Sequence, residues 1–323
     1  MMDITKSSKC IGLKIQMTNK YLIDLFCGIG GISYGFSQNG FTVSLAMDSW
    51  KEALMVHSTK HPNATHSDVS LGTPESCDYI LNHINNMPLR EGDHVHVHAS
   101  PPCQQLSIVN TVRDVNVGMV LMEWSYELLK EIEKHIPEGV HYSWTIEQVS
   151  NPRVKEYTSI HGIMYSIYKV QDYGVCQKRK RLIMSSHDIL SVMETHCKVS
   201  CNSIEDHIDI PAGTEFITNT TYGPNRAHNE DFKPAISKYE PKSTISYTII
   251  QKPNWFLGKN QAPLRAFTWH ENMLLQTFPS DYIDLTTHKI FRKDLLKMVA
   301  NAVPPRFAQC LANAHTIIKQ STT

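Results

Sequence analysis

The 323-residue sequence contains no uninterrupted apolar run long enough to span a bilayer, which takes about 20 consecutive apolar residues. No membrane association is expected. Met1 to Lys20 carries scattered lysines but no apolar signal core, so no secretion signal is read there. The eight cysteines lack a tight spacing pattern, which fits reduced thiols in a cytosol better than a disulfide framework. A cytoplasmic protein, or a nuclear one in a eukaryotic host, is expected. Net charge is absent as well, with 31 Lys and Arg against 31 Asp and Glu. That argues against a surface coated with basic residues but leaves room for local patches that steer nucleic acid. There is no internal repeat and no low-complexity segment.

What is present is ordinary globular composition, 41% hydrophobic and 19% charged, in a chain long enough to bury a large core and hold a second, smaller lobe. Tyr21 to Phe26 reads as a compact apolar strand running into Cys27-Gly28-Ile29-Gly30-Gly31, followed by a helix over Ile32 to Asn39 that Gly40 closes. Glycines at such a strand-to-helix turn let the backbone approach a ligand closely. The dinucleotide fingerprint wants a sixth-place glycine where this chain has Ser33, which disfavours a nicotinamide cofactor. A second strand, Thr42 to Met47, ends at Asp48, a carboxylate placed to accept hydrogen bonds from ribose hydroxyls.

The stretch Ala99-Ser100-Pro101-Pro102-Cys103-Gln104-Gln105-Leu106-Ser107 follows an alternating strand over Asp93 to His98. Two prolines hold the chain stiff up to Cys103, so its thiol is expected to be displayed, as suits a nucleophile. His94, His96 and His98 share one face of their strand, but no matching carboxylate or cysteine is offered nearby, so packing is expected and not a metal. A polar loop over Ile108 to Gly118 precedes an apolar-periodic helix, Met119 to Ile136. The strand His141 to Ile146 ends at Glu147, at the edge where open α/β sheets gather ligands. Lys178-Arg179-Lys180-Arg181 is, taken alone, a solvated charge run. From His196 to Ala262 the composition turns to Asn, Thr, Pro and Asp with weak periodicity. Cys197, Cys201 and His207 there lack a fourth ligand for zinc. A helix over Arg265 to Pro279 carries Leu275 and Phe278 on one side, and Ala300 to Pro305 opens a last helix, Arg306 to Ile318.

Several of these segments, in order, resemble the DNA cytosine-5 methyltransferases. Asp-Leu-Phe-Cys-Gly-Ile-Gly-Gly from Asp24 to Gly31 looks like that family's S-adenosylmethionine loop, and Pro102-Cys103-Gln104 its Pro-Cys-Gln motif. Glu147-Gln148-Val149 stands where the family usually has Glu-Asn-Val. Tyr173 to Arg181 is similar to Tyr-Gly-x-Pro-Gln-x-Arg-x-Arg with Cys176 for the proline. Ala300-Asn301 to Pro305 is similar to the closing Gly-Asn-x-x-x-Pro segment with Ala300 for the glycine. The resemblance covers residues 21–187 and 264–318.

It implies an α/β fold, a doubly wound, Rossmann-like, mostly parallel sheet with a smaller, irregular target-recognition domain. The layout would be an N-terminal extension over 1–20, a catalytic and cofactor-binding domain over 21–195, target recognition over 196–262, and a return segment over 263–323 beside the cofactor loop. Cys103 would be the nucleophile, with Glu147, Arg181, Arg179 and Gln104 around it. S-adenosylmethionine would be met by Asp24, Phe26, Gly28, Gly30, Gly31, Asp48, Ser49, Trp50, Asp68, Val69, Pro102, Asn301 and Ala302. Ser107 and, on a Gly-Pro turn, Tyr222, Asn225 and Arg226 would meet the substrate. The implied partner is double-stranded DNA, bound by a monomer, with a cognate restriction nuclease. The same chemistry on tRNA and an inactive relic are the alternatives, and the loop over Ile108 to Gly118 would close over a flipped base.

Overall fold

The computed structural model describes residues 18–107, 114–201, 203–209, 214–219, 236–239, 245–251, 255–259, 262–286 and 289–322. Its centre is β1 (Lys20–Leu25), whose Leu22, Ile23 and Leu25 are fully buried, because a parallel strand covered on both faces needs apolar side chains on both. A glycine turn leads into α1 (Gly31–Ser37), and the chain continues through β2 (Thr42–Met47), α2 (Lys51–Lys60), β3 (Thr65–Ser67) and α3 (Pro74–Asn85) to β4 (His94–Ala99). Then come α4 (Val115–His135), β5 (His141–Gln148), α5 (Pro152–Ile160), β6 (Tyr165–Lys169), β7 (Gln177–Lys178) and β8 (Lys180–Ser185).

Seven of the described strands form a sheet of order β3-β2-β1-β4-β5-β8-β6, parallel from β3 to β5, with β8 antiparallel to both its neighbours. The chain winds outward from β1 to β3 and then returns to β4 on the other side, so the order reverses between β1 and β4. Open sheets bind ligands at such a switch point, outside the strands' carboxyl ends. This is the doubly wound fold the sequence led us to expect.

Two refinements follow from capping and pairing. Asp114 accepts the amides of Asn116 and Val117 at 3.0 and 3.4 Å, an N-cap that starts α4 at Val115. Val115 to Gly118 therefore belong to the helix and not to the expected loop, whose residues 108–113 lie outside the described set. Strand β5 runs through Gln148 because Glu147 and Gln148 still pair with Ile183 and Leu182 of β8.

The histidines of β4 are buried on one face while Val95, Val97 and Ala99 fill the other. His94 Nε2 and His96 Nδ1 share Ser143 Oγ at 2.7 and 2.8 Å; His96 Nε2 and His98 Nδ1 share Thr145 Oγ1 at 3.0 and 2.7 Å; His98 Nε2 meets Ser100 Oγ at 2.7 Å. Burial lowers their pKa values, to about 2 at His94 and about 3 at His98, so they pack as neutral, hydrogen-bonded rings. Among the described residues no group of three His, Cys, Asp or Glu could hold a metal ion.

After α6 (Leu190–His196) the weakly periodic segment is less irregular than its composition suggests. The strands β9 (Glu215–Asn219), β10 (Ile236–Tyr239), β12 (Trp255–Lys259) and β13 (Ala262–Ala266) make an antiparallel sheet of order β10-β9-β12-β13, while β11 (Ser246–Tyr247) pairs with β7. The chain then returns through α7 (Trp269–Leu275), α8 (Arg292–Asn301) and α9 (Pro305–Thr322). α8 has no counterpart in the sequence reading, yet Leu295, Met298 and Val299 give it one buried face. α9 lies so close to α1 that a Cβ on Gly35 would sit 2.5 Å from the Ala308 methyl and the Pro305 carbonyl oxygen. No helix among the described residues is long and apolar enough to cross a membrane.

Candidate active site

Four chain segments meet at the carboxyl edge of the sheet: the turn after β1, Asp48 after β2, the cysteine loop after β4, and the end of β5. The amino end of β8 joins them because that strand runs antiparallel to β5.

The glycine turn is built from left-handed conformations, with φ of 59° at Phe26, 53° at Gly28 and 93° at Gly30, which glycine adopts without a Cβ clash. Gly31 has no room for a side chain, since a Cβ there would lie 2.0 Å from the Val303 carbonyl oxygen. Asp48 spans to the turn: its Oδ2 accepts the Gly28 amide at 2.8 Å and its Oδ1 the Trp50 amide at 2.8 Å. Burial raises its pKa. Each oxygen retains a lone pair for a further donor.

Asp24 is different from what the motif alone suggests. It is buried, and its Oδ2 takes both the Ser33 amide at 3.2 Å and the Ser33 hydroxyl at 2.6 Å. It therefore holds the turn from beneath and does not present itself to a ligand. Burial raises its pKa to about 7. Ser33, the departure from the dinucleotide fingerprint, is the residue that makes this bond.

The other cofactor candidates divide. Ser49 is exposed, and Trp50 is half-buried with Lys297 Nζ 4.6 Å over its ring. Asp68 is exposed and pairs with Lys51 at 3.0 Å, while Val69 packs partly against the core. Asn301 is exposed and its Oδ1 accepts from Gln251 at 2.8 Å; Ala302 follows it and leads to Val303 at Gly31.

In the cysteine loop, Pro102 and Gln104 are exposed, but Cys103 is only half-buried and not fully displayed. Its carbonyl accepts the amides of Leu106 and Ser107 at 3.0 and 2.9 Å, so the chain turns back at the cysteine. Two buried side chains anchor the loop: Gln148 Nε2 donates to the Pro101 carbonyl at 3.3 Å, and Asn151 Nδ2 to that of Leu106 at 2.7 Å. Ser107 lies at the end of this turn.

Beside it, Arg181 Nε contacts Glu147 Oε1 in a largely buried ion pair. Arg179 is buried, its Nη1 donating to the Ala300 carbonyl at 2.9 Å, and its Nε has no hydrogen-bond partner among the described residues. Strand alternation resolves the basic run: Lys178 and Lys180 point outward while Arg179 and Arg181 turn inward. Burial, followed by the repulsion of Arg181, lowers the Arg179 pKa to about 9, so it stays cationic at neutral pH. Burial also pushes the Cys103 thiol up; Arg181 and Arg179 pull it down and Glu147 opposes them, but burial prevails. The neighbouring cations thus do not by themselves ionise Cys103.

Residues the sequence reading did not assign to the site are Asn151, which anchors the cysteine loop, and His57 and Tyr282, whose side chains meet Ser33 and the Ile29 carbonyl at the glycine turn. Asn151 carried a signal, as an Asn before Pro is a helix N-cap; His57 and Tyr282 carried none. Tyr222, Asn225 and Arg226 lie outside the described residues. Cys197 is buried and its thiol donates to the Cys310 carbonyl at 3.6 Å, while His207 Nδ1 meets the Ser203 carbonyl at 3.0 Å.

Residues 21–137 match a family model described as C-5 cytosine-specific DNA methylase. Over 315 residues the chain is 22% identical to the Type II methyltransferase M.HindV of Haemophilus influenzae, covering 90% of this chain and 95% of that one. It is 24% identical over 316 residues to the Type II methyltransferase M.HgiDI of Herpetosiphon aurantiacus, covering 90% and 93%. Among solved structures it shares its fold with a DNA modification methyltransferase encoded within a prophage of E. coli, at TM-score 0.61 and 17% identity over 93% of this chain and 99% of that one. The S. pombe Dnmt2 methyltransferase aligns at TM-score 0.61 and 12% identity, over 95% and 100%.

Proposed function

We propose, since residues 21–137 match the model of the C-5 cytosine-specific DNA methylases, that this chain methylates carbon 5 of a cytosine flipped out of double-stranded DNA, with Cys103 as a covalent nucleophile. The observation that carries the reading is the convergence of Cys103, the Glu147–Arg181 pair and Arg179 at one end of the sheet.

Carbon 5 of cytosine is too weak a nucleophile to take a methyl group unaided, so the ring must first be made electron-rich by covalent addition. Cys103 adds to carbon 6. Glu147 hydrogen-bonds ring nitrogen 3 and the amino group, sharing a proton with the ring so that the charge created by addition is spread. Arg181 holds that carboxylate in place, and the Arg179 Nε is left to bond the base. S-adenosylmethionine, when bound, supplies the electrophilic methyl group. Loss of the carbon 5 proton then expels the Cys103 thiolate and restores aromaticity. None of these ring atoms is reachable inside a stacked duplex, hence the flipped base.

The cofactor assignment fits the donors and acceptors present. The turn from Phe26 to Gly31 allows close backbone approach, and Asp48 keeps lone pairs for ribose hydroxyls. We further assign target recognition to residues 196–262, with Tyr222, Asn225 and Arg226 as base readers, and expect a monomer on DNA with a cognate restriction nuclease.

Labelled methyl transfer to duplex DNA and to tRNA, run side by side, tests the substrate. Label in DNA supports the reading, and label in tRNA alone overturns it. DNA carrying 5-fluorocytosine cannot release its carbon 5 substituent as a proton, so an adduct should accumulate and map to Cys103; an adduct elsewhere removes Cys103 from the role.

A further inference from the structure

The glycine turn is gripped by two buried side chains that the mechanism above does not use. Tyr282, in the turn after α7 and 1% exposed, donates its hydroxyl to the Ile29 carbonyl at 2.8 Å, with the Gly30 carbonyl at 3.2 Å. Its ring is fixed between Phe278, 4.6 Å between centroids, and Tyr34, 5.4 Å. From the other side comes His57 of α2, fully buried, whose Nε2 lies 2.9 Å from Ser33 Oγ. A Cβ on Gly30 would lie 2.8 Å from both His57 Cδ2 and Tyr282 Oη, so both residues close on the same glycine.

The hydrogen-bond roles are determined by the chain of partners. Ser33 spends its single proton on Asp24 Oδ2 at 2.6 Å, so it must accept from His57. His57 is therefore the Nε2–H tautomer, and its Nδ1 accepts from His66 Nε2 at 2.9 Å. Burial keeps His57 neutral, as that arrangement requires. The two grips are thus independent: one reaches the carbonyls of Ile29 and Gly30, the other reaches α1 through Ser33 and Asp24.

We propose that Tyr282 and His57 are positioning residues for the cofactor, holding the turn at Ile29 and the left-handed Gly30 in place before the cofactor arrives. This rests on the reading of that turn as the S-adenosylmethionine loop. Preorganisation of this kind removes an ordering cost from binding. It also makes the cofactor turn depend on the return segment, since Tyr282 lies some 250 residues beyond Gly30.

Tyr282→Phe removes one hydroxyl and keeps the ring. His57→Leu removes the donor to Ser33, whereas His57→Gln retains an amide donor near the same position. Calorimetric titration with S-adenosylmethionine comes first on the unaltered protein; failure to bind would overturn the cofactor reading itself. Given binding, Tyr282→Phe and His57→Leu should each raise the Kd and the cofactor KM about five- to tenfold, the scale of one hydrogen bond. kcat at saturating cofactor and the KM for DNA should stay within about twofold, because neither side chain touches the reacting atoms, and His57→Gln should restore most of the affinity. A merely structural role would lower thermal stability without this split between KM and kcat. A folded Tyr282→Phe or His57→Leu protein with unaltered Kd overturns the assignment for that residue.

Discussion

Gln148 and Pro101 are joined across the sheet edge, the buried glutamine amide donating to the proline carbonyl at 3.3 Å. The same side chain turns its Oε1 back to the Val149 amide at 2.8 Å. Glutamine is one methylene longer than the asparagine usual in the related motif, yet it reaches the backbone of the cysteine loop two residues ahead of Cys103. The departure from the motif therefore leaves the loop supported.

Gln148→Leu should accordingly weaken catalysis more than cofactor binding. It strands the Pro101 carbonyl, a cost of about 1–3 kcal/mol for a buried group left unpaired, and frees the loop that aims Cys103. Steady-state kinetics should report a fall in kcat of about tenfold or more. Wild-type kcat in a folded Gln148→Leu protein would show that the loop is held without this bond.

Cys103 should alkylate slowly at neutral pH in the free protein. The thiolate is the reactive form, and because burial outweighs the two arginines it appears only above the usual cysteine range of about 8.5. Iodoacetamide labelling followed by peptide mapping should give an inflection above that value. Glu147→Gln removes a charge that raises the pKa and should move the inflection down; Arg181→Met should move it up. Shifts in the opposite directions would contradict the electrostatic account of the site.

Asp48→Ala should weaken S-adenosylmethionine by about 1–3 kcal/mol, from lost hydrogen bonds and a loosened Gly28 turn. Asp48→Asn keeps only one oxygen acceptor and should fall between the two. Equal affinity of all three by calorimetry would mean that the ribose is held elsewhere.

Asp24 makes stability depend on pH. Its folded pKa of about 7 lies above the unfolded value, about 3.9, so between the two the folded chain keeps a proton that the unfolded chain has lost. This group therefore makes the fold less stable as pH rises through that window, with no further loss above about 7. Asp24→Asn still offers an oxygen to Ser33 but cannot ionise. Thermal melting should show the variant gaining on the wild type between about pH 4 and pH 7; a constant or shrinking difference would remove Asp24 as the source.

The order of elements was legible because local chemistry dictates it: an apolar run at β1, glycines where φ must be positive, proline ahead of Cys103, and carboxylates where strands end. By resemblance the sequence set Arg179 and Arg181 beside Cys103, but the basic run taken alone did not tell why these two cations, and not Lys178 and Lys180, turn inward. That was decided by β8 running antiparallel beside β5, which brings Arg181 against Glu147 and leaves Lys178 and Lys180 in solvent. At Cys103 burial outweighs the pull of Arg181 and Arg179, and burial is set by the tertiary fold, so the arginines visible in the sequence could not settle its ionisation. The support beneath the glycine turn is largely tertiary. Asp24, Ser33, His57 and Tyr282 come from β1, α1, α2 and the segment after α7; the glycine motif marked Asp24, but no local pattern marks His57 and Tyr282, whose partners are 24 and 253 positions away.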